Sequence, residues 1–370
     1  MLEFQMVLIA DRIGEKKDLD MESDALEQIG DDYFFKIYNS LNNIAPKVTH
    51  YNDLPTFIDN ISKHKNDIVF TIYGGNASRN RMALVPGICE SYGIKFVGAD
   101  VYNRIICQDK NISKELAKQL GFLTPSNLTV SSHSDIDSLN ITTLDLPVVI
   151  KPLMEGSSIG IMDDCLCTDA INLKNKLTYM YDKYKQPIMI EQFIPGKEIV
   201  TCMVGSSQNI RLAEMVEVCV AGDEKYFDEH LYTGEIKHQD KVNTYHRIIT
   251  SEVDTEIMNK MKNAFTSFGK MDYMRIDGKM HGGNFYLIEF TPDASLGPHC
   301  SFQDIYTSRN KTYEDLLEDI IKIEMKVWHP NTAKRSLISL QYHIILVNGL
   351  ARQLCLRMIR NITEPELAGL

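Results

Sequence analysis

The sequence predicts an α/β chain in which an open parallel sheet is followed by a second unit. Short apolar runs alternate with helix-period segments over the first hundred residues, which is the rhythm of a parallel sheet. A later apolar run, Val148-Val149-Ile150, leads through Lys151 into the turn Glu155-Gly156-Ser157-Ser158-Ile159-Gly160, a composition suited to holding phosphate. The chain's 370 residues, 44% hydrophobic, supply more core than one small module needs.

Taken in order, residues 6–10 read as a buried strand, and residues 25–41 carry helical spacing through Ile29, Phe34, Ile37 and Leu41. Residues 67–73 form a second strand running into Gly74-Gly75-Asn76, followed by a helix over 81–92 and a short strand over 95–98. The segment KNISKELAKQLGF is a helix closed by Gly121, and Pro125 resets the chain toward a strand at 128–130. Residues 131–145 are a loop or a short polar helix before the strand at Val148, which Lys151 and Pro152 stop. PIMIEQFIPG is a strand leading through Glu191, Gln192, Phe193 and Ile194 into a Pro-Gly turn, with Glu198 just beyond. Arg275-Ile276-Asp277 enters a hairpin at Gly282-Gly283-Asn284 whose returning strand carries Glu289. The expected partition is 1–105, 106–190, 191–330 and a C-terminal extension, 331–370, holding an apolar stretch at 337–350.

The motif chemistry follows from residue types. Glycine lets backbone N–H groups approach a phosphate, serine hydroxyls add donors, and Lys151 supplies charge. A strand leaving one unit for another can offer its backbone to an adenine edge, and a carboxylate a few residues on can accept ribose hydroxyls. Alternation places Asp277 and Glu289 on facing positions, and paired hard oxygens suit magnesium bridging phosphates. Each pattern alone equally describes a hairpin with a surface lysine, a core strand with solvated acids, or a surface acid pair.

Together these segments resemble the ATP-grasp superfamily, and within it the D-alanine–D-alanine ligase group, across roughly residues 65–325. The resemblance implies a parallel-sheet domain and two subdomains that sandwich ATP. QDKNISKELAKQLGFLTP is similar to the entry to the nucleotide domain, with Lys110 on phosphate. KPLMEGSSIG resembles the phosphate loop, implying Lys151 on the α-phosphate and Glu155, Ser157 and Ser158 in a flap. EQFIPGKE matches the adenine and ribose segment, with Glu191, Gln192 and Ile194 at the base and Glu198 at the ribose. MRID and LIEFTP resemble the terminal strands, implying Arg275 at the transition-state oxyanion and Asp277 with Glu289 as ligands of magnesium or manganese. Lys151, Ser157 and Arg275 are the implied catalytic groups.

The departures are specific. The asparagine usual two residues after the second metal glutamate is Thr291, with Asp293 near enough to substitute. No GGxSxER-like loop lies between Ala10 and Ser23, so the glutamate that receives the first substrate's amino group lacks a counterpart there. An acidic HGxxGEDG-like turn is replaced by YGGNASRNRM, where Arg79 and Arg81 reverse the charge and suggest an anionic donor. The lysine of a YDYEAKY-like loop is missing, leaving Lys225 or Lys237 to reach the γ-phosphate. SLGPHCSF partly matches the clasp on the second substrate's carboxylate, with Ser301 the candidate.

The implied activity is ATP-dependent joining of a carboxylate to an amine, with amino acids as the expected substrates, through an acylphosphate, under mobile loops at 155–159 and 222–240. Another ATP-grasp chemistry, such as small-molecule phosphorylation or thioester formation, and a nucleotide-binding regulatory protein without turnover are the alternatives. A net charge of −11 argues against nucleic acid as a partner. Eight scattered cysteines without CxxC spacing argue against zinc and disulfides and fit the cytoplasm, and no apolar run approaches a membrane span. Homodimerisation is an expectation from the resemblance. His230, His238 and His246 show no metal spacing, and Met271, Met274 and Met280 read as core.

Overall fold

The computed structural model describes residues 2–14, 23, 27–75, 78–237 and 242–327. It divides into a unit of Met1–Met325 and a second of Lys326–Leu370. The expected extension at 331–370, with its apolar stretch, lies outside the described residues, as do His238, Asn76 and the start of the helix expected at 25–41.

The N-terminal sheet is parallel throughout, in the order Val48–Tyr51, Met6–Ile9, Ile68–Thr71, Lys95–Phe96. Met6–Ile9 and Ile68–Thr71 are buried at every position, as central strands covered on both faces must be. The edge strand Val48–Tyr51 was not legible from the sequence, since only Val48 is buried and its VTHY alternation is polar. The first long helix is Asp31–Ile44 rather than 25–41. Ile29–Gly30 pairs instead with Arg12–Gly14, and Asp31 and Asp32 then occupy the first turn, where acids meet the helix dipole favourably. The helix expected over 81–92 opens with a 3-10 turn, Arg81–Ala83, before Leu84–Tyr92.

A four-stranded antiparallel sheet follows, in the order Asn127–Val130, Ile188–Gln192, Val148–Pro152, Leu166–Cys167, with the Ala170–Tyr184 helix packed on it through Leu173, Leu177 and Met180. Lys151 and Pro152 continue the Val148 strand instead of stopping it, because both pair with the Ile188–Gln192 strand, Lys151 opposite Met189. The third layer is a five-stranded antiparallel sheet, Thr244–Ile248, Asn209–Val220, Lys197–Ser206, Tyr273–His281, Asn284–Pro292. Its core takes Met271 and Met274, with Met280 packed against it, and also Ala117 and Phe122 from the Lys110–Gln119 helix region. The turn between the two antiparallel sheets requires Gly196, whose φ is +108 and whose missing Cβ would meet the Met280 carbonyl oxygen at 2.4 Å. Among the described residues no helix is long and apolar enough to cross a membrane, and the seven described cysteines are free thiols.

Candidate active site

Among the described residues of the Met1–Met325 unit, two neighbouring cavities gather most of these segments. The larger, about 420 Å³, is walled by Glu27, Tyr73 and Arg81, by the Glu155–Ser157 turn, and by the segment from Thr291 to Ser301. The smaller, about 120 Å³, lies between the strand residues Val149, Lys151 and Glu191 and the five-stranded sheet at Glu198, Lys279 and Glu289. They share Val200, Tyr232, Lys237, Arg275 and Glu289.

The shared wall is built by the hairpin read from the sequence. Asp277 and Glu289 are direct partners across the Tyr273–His281 and Asn284–Pro292 strands. Arg275 grips Asp277 with two hydrogen bonds, Nε to Oδ1 at 2.6 Å and Nη2 to Oδ2 at 2.7 Å, and Thr291 Oγ1 lies 3.2 Å from Asp277 Oδ2. Burial opposes charge on Glu289, yet Lys110, Lys151, Lys237 and Arg275 outweigh it and hold the carboxyl below its usual range. Two neighbouring carboxylates and a hydroxyl, with phosphate oxygens to complete the shell, fit the hard-oxygen demands of magnesium. Asp293 does not join them. It takes φ +48, accepts the Ala99 N–H at 3.0 Å and pairs with Arg104 at 2.7 Å, so both its oxygens are engaged away from Asp277.

The Glu155–Ser158 turn is held at several points. Ser157 and Ser158 adopt φ of 49 and 59, left-handed conformations that non-glycine residues keep only when their surroundings fix them. Lys110 Nζ donates to the Leu153 carbonyl at 3.3 Å and to the Glu155 carbonyl. Lys237 Nζ donates to Ser158 Oγ at 2.6 Å and faces both cavities, whereas Lys225 is exposed, so Lys237 is the lysine that the loop brings to the site. Burial first, then Arg275, pushes the Lys237 ammonium below its ordinary value.

In the smaller cavity Lys151 Nζ lies 2.5 Å from Glu191 Oε2, and a second buried lysine, Lys114, pairs with Oε1 of the same carboxylate. Gln192 and Ile194 line this cavity, and the Gln192 N–H is already given to the Ser126 carbonyl at 2.8 Å. Burial raises the Glu198 carboxyl, which lies 3.4 Å from Lys279. His230 also lines this cavity, and His246 lines the larger one while bonding Asp304 at 2.6 Å.

The two arginines part company. Arg79 is exposed and lines neither cavity. Arg81 is buried, 2.8 Å from Glu155 Oε2 and 3.3 Å from Glu27 Oε1, so its charge is already met by two carboxylates. Glu27 also accepts the Gly156 N–H at 3.0 Å. Ser301 is buried in the far wall of the larger cavity, its Oγ 3.2 Å from Cys202 Sγ.

A family model described as "D-ala D-ala ligase C-terminus" matches residues 118–322, more than half of the chain. The chain belongs to the D-alanine–D-alanine ligase family. A D-alanine–D-alanine ligase A of Bacillus cereus is 26% identical over 277 residues, covering 73% of this chain and 85% of that protein. A D-alanine–D-alanine ligase of Fervidobacterium nodosum is 26% identical over 306 residues, covering 78% and 91%. The fold is the ATP-grasp fold. The Bacillus anthracis D-alanine–D-alanine ligase crystallised with ATP superposes with a TM-score of 0.65 at 18% identity, covering 88% of this chain and 98% of its own. The VanG D-Ala:D-Ser ligase of Enterococcus faecalis gives 0.59 at 16%, covering 87% and 100%.

Three site residues of this ligase-family chain escaped the sequence reading. Lys114 carried a signal, since it stands four residues after Lys110 on one helical face. Lys279 lies two residues after Asp277 and, by strand alternation, on the same face. Glu27 carried none, because only the folded chain brings it to Gly156.

Proposed function

We propose that this ligase-family chain uses ATP to activate the carboxylate of one amino acid and joins it to the amine of another. The observation that carries the reading is the wall common to both cavities, lined by Lys237, Arg275 and Glu289, with Asp277 beside Glu289 on the smaller cavity's side and Lys110 and Lys151 adding to the positive charge that Glu289 meets. A nucleotide in the smaller cavity would present its phosphates there, and a carboxylate in the larger cavity would meet them in line.

In this reading Lys110, Lys151 and Lys237 neutralise the phosphates and the Glu155–Ser158 turn covers them. Glu191, Gln192 and Ile194 flank the base and Glu198 the ribose. Asp277, Glu289 and Thr291 would hold magnesium, or manganese in its place, which when bound offsets phosphate charge. The donor carboxylate oxygen attacks the γ-phosphorus and the bond to the β–γ bridging oxygen breaks, releasing ADP. The deprotonated acceptor amine then attacks the acyl carbon. Arg275 opposes the charge of the tetrahedral oxyanion, and phosphate departs, carrying off the proton that the amine nitrogen loses. Ser301, with Arg275, is placed to take the acceptor's carboxylate.

Because Glu27 and Glu155 together outweigh Arg81, the N-terminal wall of the larger cavity is net anionic. That favours a donor ammonium at Glu27 over the anionic donor that the arginines suggest in the sequence. The test is ADP and phosphate release by purified protein with Mg-ATP and D- and L-amino acids, singly and in pairs, with product mass spectrometry. Release requiring two amino acids, with a product weighing their sum less water, is expected. Release that needs no amine would sink the ligase reading.

A further inference from the structure

Lys114 is 1% exposed and lines neither cavity, yet from the helix that carries Lys110 it touches two strands of the nucleotide site. It stands one helical turn beyond Lys110, pairs with Glu191 Oε1, and donates to the Ile288 carbonyl at 2.9 Å, next in the chain to Glu289. An ammonium so buried is sustained only by close opposite charge and by acceptors for its protons. The Glu191 carboxylate therefore carries two cations, Lys114 from behind and Lys151 from the cavity side.

The charge balance gives this arrangement a consequence. With Lys151 as its only partner, a buried Glu191 would cancel the Lys151 ammonium where it lines the nucleotide cavity. A second ammonium behind the carboxylate leaves the cluster of three groups with one net positive charge, exposed on the side of Lys151. We propose that Lys114 is a positioning residue that neutralises Glu191 from outside the cavity, so that Lys151 keeps its charge for a nucleotide phosphate. The role rests on the nucleotide reading of the smaller cavity.

The experiment is a mutant cycle read by calorimetric binding of Mg-ATP and by steady-state kinetics. Lys114→Met is expected to weaken Mg-ATP binding and raise KM for ATP by roughly tenfold or more, with kcat within about threefold, since the residue touches no reacting atom. In the Glu191→Gln background the same substitution is expected to change KM for ATP by less than about twofold, because the carboxylate it offsets is gone. The double variant removes both members of the Lys114–Glu191 pair and leaves only Lys151 at the cavity side, so it keeps the test readable if Lys114→Met alone folds poorly. Equal losses in both backgrounds would show that Lys114 acts by packing and would overturn the proposal while leaving nucleotide binding intact. Wild-type protein that binds no Mg-ATP would overturn the nucleotide reading itself, and the role of Lys114 with it.

Discussion

Replacing Arg81 with methionine should uncouple the phosphate turn from the parallel-sheet domain. Arg81 Nη2 lies 2.8 Å from Glu155 Oε2, with the two side chains 2% and 7% exposed. Removing one partner of a buried pair typically costs ~3–5 kcal/mol, because the other charge stays buried. Glu155 would keep one support, Gln186 Nε2 at 2.7 Å from its other oxygen. That places the loss near the lower end, about 3 kcal/mol, or roughly a hundredfold in the population of the closed turn and in kcat/KM. Glu155→Gln should cost less, about tenfold, since Arg81 retains Glu27 at 3.3 Å. If the pair is the link, the double variant loses no more than Arg81→Met alone. Phosphate release with saturating amino acids, followed against Mg-ATP concentration, measures all three. A double variant down by the product of the two single losses would refute the coupling.

Asp277→Asn should shift the magnesium dependence of phosphate release by more than the ~10–100-fold typical of outer-shell changes; an unchanged titration would remove Asp277 from the metal site. Gly98→Ala should lower Tm by several degrees, because the added Cβ would meet Asp293 Oδ1 at 2.0 Å with φ at +104, a clash and strain worth ~1–3 kcal/mol. A Tm within one degree of wild type would contradict the packing described there. Burial pushes the Cys300 thiol up to about 11, so at pH 8 only ~0.1% is thiolate against roughly a quarter of a free cysteine. Its labelling by a disulfide reagent, followed by peptide mass spectrometry, should be slower by two orders of magnitude, and a rate near that of free cysteine would count against the desolvated setting of this half-buried thiol.

What was legible in the sequence was local and periodic. The fully buried strands at Met6 and Ile68 follow from short apolar runs and the Asp277–Glu289 pairing from alternation and turn chemistry, and the structure reproduces them. The polar edge strand Val48–Tyr51 gave no such pattern. Asp293 read as a spare metal oxygen because chain distance is short; its left-handed backbone turns it toward Arg104 instead, which no linear reading contains. Arg81 read as a free cation for the same reason. Its partners, Glu27 and Glu155, come from segments far apart in the chain. Charge motifs expose which groups are available, and tertiary pairing decides which of them are already spent.

The wall common to the two cavities also constrains how such an enzyme can change its diet. Arg275, Lys237 and Glu289 line both chambers, so under the proposed function a substitution there would disturb nucleotide and amino acid together. The opposite face, around Glu27, His299 and Cys300, borders only the larger chamber. Under that reading selectivity would drift along that face, one residue at a time, while the energy-transducing half of the machine stays as it was.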